Sequence, residues 1–104
     1  MRGVFIGLFG ETPRNKILEF LLEMKGLDFT IGDISREVEI NRATTYNVME
    51  ELIKEKIVVA TRKISGAQAY KLNKNKEEVK LLVLAFNSGL KLISEKPRIL
   101  ENLA

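Results

Sequence analysis

Residues 30–57 read TIGDISREVEINRATTYNVMEELIKEKI, and this stretch decides the fold. Two sets of inward-facing side chains recur in it at helical spacing: Ile31, Ile34 and Val38, then Thr45, Met49 and Leu52. Only Glu39 and Ile40 separate Val38, the last residue of the first set, from Asn41, the cap of the second helix. So short a connection favours a steep helix crossing, with Ile40 in the corner, over an antiparallel pair. The stretch therefore predicts a helix-turn-helix.

The ends of the predicted helices carry capping residues. Thr30, followed three residues later by Asp33, is a capping box for the first helix of the pair. The Asn41 side chain can accept a hydrogen bond from a free N–H at the start of the second helix. An earlier helix starts with Thr12 as its cap and Pro13 at its first position. Each helix of the predicted core therefore has a defined start.

The segments on either side complete the pattern. Residues 57–62 (IVVATR) and 68–72 (QAYKL) alternate as strands do, and Ser65 with Gly66 supplies a turn between them, which predicts a β-hairpin. Asn75 with Glu78 predicts the start of a long helix that Pro97 ends. Residues 1–10 (MRGVFIGLFG) are apolar but too short to span a membrane. We expect them to form a strand or arm packed on the body or on a second copy.

The composition argues against catalysis. The 104 residues include no Cys and no His, which removes thiol chemistry, the usual zinc sites and imidazole acid–base chemistry. The carboxylate pairs at 50–51 and 77–78 are adjacent in sequence and so point to different sides of a helix. We therefore expect no enzyme, no cofactor and no metal site. The net charge of +3 is too small to indicate nucleic-acid binding by itself.

From Ile31 to Leu72 the chain resembles the winged helix-turn-helix transcriptional regulators of bacteria and archaea, of the MarR, ArsR and TrmB type. The similarity is carried by residues 34–46 (ISREVEINRATTY) and 51–58 (ELIKEKIV). Glu39 and Lys56 depart from the pattern, because glycine usually stands at both places. Glycine is favoured where φ is positive, so these residues predict a turn that stays in the right-handed α region, or mild strain.

The resemblance implies a mainly α, α+β fold with a three-helix core, a wing and a long C-terminal helix. It divides the chain into an apolar arm (1–11), a winged helix-turn-helix DNA-binding domain (12–74) and a C-terminal dimerisation helix with its tail (75–104). It also implies that the second helix of the pair enters the major groove of double-stranded DNA. Two such helices in a homodimer would address half-sites about 34 Å apart.

The outward residues of this second helix suit a groove. Arg42 can bind guanine, Asn47 adenine and Ala43 a thymine methyl group. The hydroxyls of Thr44 and Tyr46 suit phosphate oxygens.

The wing offers positive charge. Residues 62–76 contain five cations and no acidic residue, and Lys63 and Ser65 near the tip are the best candidates for wing contacts. The complete set of predicted DNA contacts is Thr30, Asn41, Arg42, Ala43, Thr44, Tyr46, Asn47, Arg62, Lys63, Ser65 and Lys71.

Apolar side chains predict self-association. The long C-terminal helix is apolar around much of its circumference, and a domain this small buries only one face of it. The second face is expected to meet another copy in a two-fold interface, with the N-terminal arm assisting. The predicted dimerisation residues are Val79, Leu82, Val83, Phe86, Leu90, Ile93, Phe5 and Leu8.

Two other functions stay open at the level of sequence. A winged helix can act as a protein–protein adaptor in a transcription or replication assembly, because fold alone does not define function. RNA binding is a weaker alternative, since the chain lacks the aromatic platform on which single strands stack. We expect cytoplasmic localisation and no membrane partner. The operator and any small-molecule effector are unknown at this stage.

Overall fold

The computed structural model describes the backbone of residues 4–94 and the side chains of residues 5–88. Its elements in chain order are α1 (Val4–Phe9), α2 (Pro13–Glu23), β1 (Phe29–Thr30), α3 (Ile31–Val38), α4 (Arg42–Lys54), β2 (Val58–Ile64), β3 (Ala67–Leu72) and α5 (Glu77–Ser94). The predicted α+β arrangement of helical core, hairpin and long final helix is confirmed. The predicted stop at Pro97 lies outside the described residues.

The caps of the helix pair form as the sequence predicts. The Asp33 N–H donates to Thr30 Oγ1 at 3.1 Å, and the Thr30 N–H donates to Asp33 Oδ2 at 3.3 Å. At the start of α4 the Thr44 N–H donates to Asn41 Oδ1 at 2.8 Å. Each bond satisfies a donor that the first turn of a helix leaves free. The capping box and the Asn41 cap therefore fix where α3 and α4 begin.

The core lies between α2, α3, α4, the sheet and α5. The inward side chains of α4 are completely buried, as their spacing predicts: Thr45, Met49 and Leu52. Thr45 needs a polar partner there, and its hydroxyl donates to the Asn41 carbonyl at 2.9 Å. From α3 and α2, Ile34 and Ile17 are equally buried. This packing holds α4 with its opposite face toward solvent.

Glu39 and Lys56 adopt left-handed backbone conformations, with φ of 57° and 61°. The alternative of a turn that stays in the right-handed α region is therefore wrong. At Glu39 the chain must change direction within two residues, and the Ile40 N–H donates back to the Ser35 carbonyl at 3.2 Å. The Ser35 hydroxyl also donates to the Ile40 carbonyl at 2.6 Å. These bonds hold a conformation that costs a non-glycine residue about 1 kcal/mol.

The N-terminal segment is a short helix, α1, so the strand predicted as one alternative is wrong for residues 4–9, whereas packing of this segment on the body agrees with the structure. Phe5 and Ile6 are buried, with Phe5 in the core, while Leu8 is exposed. The Ile6 N–H donates to the carboxylate of buried Glu19 on α2 at 3.3 Å. The apolar arm is thus attached to α2 and forms part of the body.

The sheet has three antiparallel strands in the order β1-β3-β2. Ser65 and Gly66 connect β2 to β3 with φ of 50° and 83°, the positive pair that a tight two-residue hairpin turn requires. The register shifts between Ala60 and Lys63, which indicates a β-bulge in β2. After the hairpin, α5 begins at Glu77, one residue later than a cap at Asn75 predicts.

Candidate nucleic-acid interface

The solvent face of α4 divides into two halves. Ala43, Tyr46 and Asn47 are exposed in the first half, and Tyr46 keeps 53% of its surface accessible. The second half is acidic. There Glu55 accepts from Arg14 of α2 at 2.8 Å, and Glu51 lies 3.8 Å from the same guanidinium. Because carboxylates repel phosphate, only the N-terminal half of α4 presents a surface suited to a DNA groove.

The two capping residues differ in what they leave for a ligand. The Thr30 side chain is buried and occupied by the capping box, so its predicted contact with DNA is not supported. Asn41 is exposed and uses its carbonyl oxygen in the cap of α4, which leaves the amide nitrogen at the surface. Hydrogen bonding by the Thr30 side chain and backbone, together with Arg36, holds the pKa of Asp33 below its ordinary value.

The tip of the wing carries the predicted polar contacts. Lys63 and Ser65 are exposed, and Lys71 on β3 is partly exposed. Gln68 supports the hairpin from inside, because its amide donates to the Arg62 carbonyl at 3.2 Å and to the Ala69 carbonyl at 3.0 Å. The Arg62 carbonyl belongs to the bulge, where the regular strand ladder shifts. The wing is therefore a hairpin stabilised by Gln68, with Lys63 and Lys71 at its surface.

Arg62, a predicted DNA contact, is bound within the protein. Its guanidinium donates to both oxygens of Asp28, Nε to Oδ2 at 2.9 Å and Nη2 to Oδ1 at 3.1 Å. Thr61 donates to the same carboxylate at 2.6 Å. Adjacent strand residues normally face opposite sides, and the bulge gives a physical reason why both reach Asp28. The Arg62 and Thr61 hydrogen bonds lower the pKa of Asp28 to about 2.

The remaining cations after the wing also have internal neighbours. Lys76 donates to the Glu55 carbonyl at the end of α4 and lies 3.7 Å from Glu78. The Lys74 ammonium lies over the backbone of Gly26. The five cations of residues 62–76 therefore do not form one continuous patch, because the fold commits Arg62 and Lys76 to partners elsewhere in the chain. Lys63 and Lys71 remain as the wing's own cations.

Arg42 lies against α3. Its Nη2 atom is 2.8 Å from the point that an alanine Cβ would occupy at Gly32, and the Nη1 atom of Arg36 is 3.7 Å from that point. Arg36 also forms an ion pair with Asp33. Arg36 is not among the DNA contacts predicted from the sequence. Its position four residues after Gly32 places both residues on one face of α3, and this spacing could have indicated that Arg36 lies over Gly32.

Apolar surface is exposed on α1 and α5. Leu8 and Phe9 are 69% and 60% exposed, and Leu81 and Leu84 are 64% and 63% exposed. Three predicted dimerisation residues lie instead in the core of the single chain and have little surface left for a partner: Phe5, Val79 and Phe86. Leu82 and Val83 are partly buried against that core. The side chains of the predicted residues Leu90 and Ile93 lie outside the described part of the structure.

Two other kinds of site are absent from the part of the chain that the structure describes. Among residues 4–94, no helix is both long and apolar enough to cross a lipid bilayer. The same part of the chain contains no group of three or more acidic residues positioned to hold a metal ion.

The helix-turn-helix, the hairpin behind it and the order of the elements define a winged helix-turn-helix fold. No protein-family model matches the chain, and no curated protein sequence matches it. Solved structures do match. HlyU from Vibrio cholerae is 20% identical with a TM-score of 0.58, and the match covers 79% of this chain and 80% of HlyU.

Two further matches carry descriptions of DNA binding. One is a homodimeric winged helix-turn-helix DNA-binding domain of a Mycobacterium bovis protein, described as "a possible ArsR-family transcriptional regulator". It is 20% identical with a TM-score of 0.57, over 81% of this chain and 72% of that one. The other is the MepR–DNA complex of S. aureus, 21% identical with a TM-score of 0.60, over 89% of this chain and 74% of MepR. At these identities the similarity establishes the fold.

Proposed function

We propose that this protein is a homodimeric transcriptional regulator that binds double-stranded DNA in a sequence-specific manner. The observation that carries the proposal is the exposed N-terminal half of α4, which presents Ala43, Tyr46 and Asn47. In a helix-turn-helix this part of the second helix meets base edges in the major groove. Lys63 and Lys71 of the wing would bind phosphates on either side of that groove.

The similar structures support the same function. One of them is a MepR–DNA complex, and another is a homodimeric DNA-binding domain. The proposed specificity is divided between base and backbone contacts. Asn47 would bind adenine, Ala43 would contact a thymine methyl group, and Tyr46 and Thr44 would donate to phosphates. Such a protein needs no catalytic step and no cofactor.

The exposed apolar side chains of α1 and α5 support the homodimer. Leu8 and Phe9 of α1 and Leu81 and Leu84 of α5 lie on two helices that pack together. A monomeric protein seldom exposes several large apolar side chains on neighbouring elements. A two-fold interface would bury them and would set two α4 helices at a fixed spacing. We therefore centre the proposed dimer surface on these four residues, with Leu82 and Val83 at its inner edge.

DNA binding is tested by fluorescence anisotropy with a labelled random-sequence duplex at several salt concentrations. Because each neutralised phosphate releases counterions, the logarithm of the affinity should fall linearly with the logarithm of salt, with a slope of about one unit per phosphate. Selection from a pool of random duplexes would then give the preferred sequence. An affinity that does not depend on salt, or no binding to any duplex, contradicts the proposal.

The dimer surface is tested with Leu81→Lys and Leu84→Lys together. Two buried cations without partners should abolish association, because burying an unpaired charge is very unfavourable. Sedimentation should then give the mass of one chain, 11.8 kDa, in place of two. Leu27→Lys is the matched control, since Leu27 is 58% exposed but lies in the segment between α2 and β1. A double variant that stays dimeric contradicts this assignment.

An adaptor role is the second candidate, and the reduced charge of the wing favours it. With Arg62 paired to Asp28 and Lys76 bound to the end of α4, a protein partner would meet a less positive hairpin than the sequence suggests. Exposed Leu27 and Tyr46 could then pack on that partner. The salt series separates the two functions, because an adaptor should show weak duplex affinity with no steep salt dependence.

A further inference from the structure

Two guanidinium groups converge over one glycine at the start of α3. Arg36 and Arg42 come from different helices of the pair, and each places a terminal nitrogen within 3.7 Å of the position that a side chain at Gly32 would fill. Like charges this close repel each other unless an anion lies between them. A compensating negative charge between the two groups would lower this repulsion.

The protein itself supplies only half of that charge. Asp33 is the carboxylate at this place, and its two oxygens are already used, Oδ1 by Arg36 and Oδ2 by the Thr30 N–H. Within residues 5–88, no carboxylate forms an ion pair with Arg42. Arg42 is exposed to solvent. The site consequently has one guanidinium whose charge is left for an external anion.

Gly32 makes this arrangement possible. Glycine inside a helix costs roughly 1 kcal/mol relative to alanine, yet it occupies the second position of α3. An alanine there would place its Cβ 2.8 Å from Arg42 Nη2, closer than real contacts allow. Its Cβ would displace the end of a flexible side chain, and no backbone atom would have to move. Glycine at this position therefore affects where the Arg42 guanidinium lies more than whether α3 forms.

We propose that Arg36 and Arg42 together bind one backbone phosphate of DNA over Gly32, and that Arg42 therefore positions the helix pair on the duplex instead of reading guanine. Planar guanidinium groups bind phosphate with two parallel hydrogen bonds each, which suits a clamp made from two sides. In a helix-turn-helix the first helix crosses the DNA backbone, so α3 is where such a phosphate would lie. This inference rests on the proposed DNA binding.

The first test compares Arg36→Ala, Arg42→Ala and the double variant with wild type, on both a selected duplex and random-sequence duplexes. Each single variant should lose about tenfold in affinity per bound subunit on every sequence. The double variant should lose less than the product of the two, because both residues hold the same group. Its salt slope should fall by about one unit per bound subunit, for one phosphate lost. Lys80→Ala is the charge-loss control on α5.

The second test uses Gly32→Ala. Alanine favours the helix, so the melting temperature should stay equal or rise, while affinity for all duplexes falls about threefold as the Arg42 guanidinium is displaced. Gly7→Ala is the matched control, since Gly7 is also in a helix and has open space where its Cβ would be. It should leave DNA affinity unchanged. Comparing Gly32→Ala with Gly7→Ala therefore separates a loss of phosphate binding by Arg42 from a loss of folding.

The outcomes distinguish failure of the proposed phosphate clamp, formed by Arg36 and Arg42, from failure of the proposed function. If wild type binds no duplex, the proposed function is wrong, and the clamp is wrong with it because no DNA phosphate is bound. If wild type binds and Arg42→Ala changes the preferred base at one position, Arg42 reads a base and the clamp is wrong. Losses that multiply in the double variant, with a slope lower by about two units per subunit, indicate two separate phosphates and also overturn it.

Discussion

Two arginines of the candidate interface, Arg42 at the start of α4 and Arg62 on the wing, have opposite surroundings. Arg62 donates to both oxygens of Asp28, which precedes it by 34 residues. Arg42 has no carboxylate partner within residues 5–88 and lies beside a second guanidinium. An ion pair within the protein reduces the attraction of a cation for phosphate. The helix pair therefore carries more of the available charge than counting cations along the sequence suggests.

Of the variants proposed below, replacement of Asn47, the proposed base-reading residue of α4, should have the largest effect on DNA binding. Asn47→Ala should reduce the preference for the selected duplex over random duplex by roughly 10- to 100-fold, because a bidentate base contact contributes about 1–3 kcal/mol of discrimination. Affinity for random duplex should change little. Competition binding measures both, with Asn75→Ala as the control. An equal loss on both duplexes would mean that Asn47 contacts the backbone.

Removing a wing cation should have a smaller and uniform effect. Lys63→Ala should weaken binding to all duplexes about fivefold and lower the salt slope by about one unit per bound subunit, because the contact is to phosphate. Anisotropy at four salt concentrations measures both quantities. A change in the preferred sequence would show that the wing enters a groove and reads bases.

Neutralising the internal pair of the wing should change binding less still. Asp28→Asn with Arg62→Gln removes one charge of each sign, so the field at the DNA should be nearly unchanged and affinity should stay within about twofold of wild type. Arg62→Gln alone should bind more weakly, since it leaves the Asp28 carboxylate uncompensated. If the double variant binds about tenfold more weakly than wild type, Arg62 itself contacts phosphate.

The ion pair also predicts a pH dependence of stability. The pKa of Asp28 is lowered from 3.8 to about 2 in the folded protein, so the carboxylate stabilises the fold above its unfolded pKa. That contribution is lost as the pH falls from about 4 to 2. Wild type should therefore exceed Asp28→Asn in urea midpoint by a constant amount between about pH 7 and 5, and by less below. If the difference in urea midpoint did not decrease below about pH 4, the stabilising Asp28–Arg62 ion pair would be contradicted.

The smallest effect is expected at the turn between α3 and α4. Glu39 has a left-handed conformation, which asparagine adopts more readily than other non-glycine residues. Glu39→Asn should therefore raise the free energy of unfolding by about 0.5 kcal/mol, measured by urea denaturation. Glu37→Asn, on the exposed face of α3, is the control and should be neutral or slightly destabilising. If both variants changed the free energy of unfolding equally, the gain at Glu39 would not come from relief of backbone strain.

Much of the fold follows from short-range sequence signals. The caps at Thr30 and Asn41 and the turn at Ser65–Gly66 were predicted correctly, because each depends on residues only a few positions apart. The helix α1 was not, since a six-residue apolar run fits a strand or a helix equally well. The apolar stripe of α5 was recognised, but spacing alone could not tell that Val79 and Phe86 fill the core of the same chain.

The site was less predictable than the fold for a physical reason. Exposure of Asn47 follows from the period of α4, and the structure agrees with it. The Asp28–Arg62 pair depends on which distant segments the fold brings together, and the approach of Arg42 to Gly32 depends on how α3 and α4 cross. Neither contact leaves a periodic pattern in the sequence.

The mass of the protein in solution, measured by sedimentation velocity alone and with a random-sequence duplex at low salt, tests the central claim most directly. The free protein should sediment as two chains of 11.8 kDa each. With duplex it should form a complex of two chains and one duplex, which dissociates as salt is raised. A single chain that does not change its sedimentation when duplex is added would contradict both the dimer and the DNA-binding function.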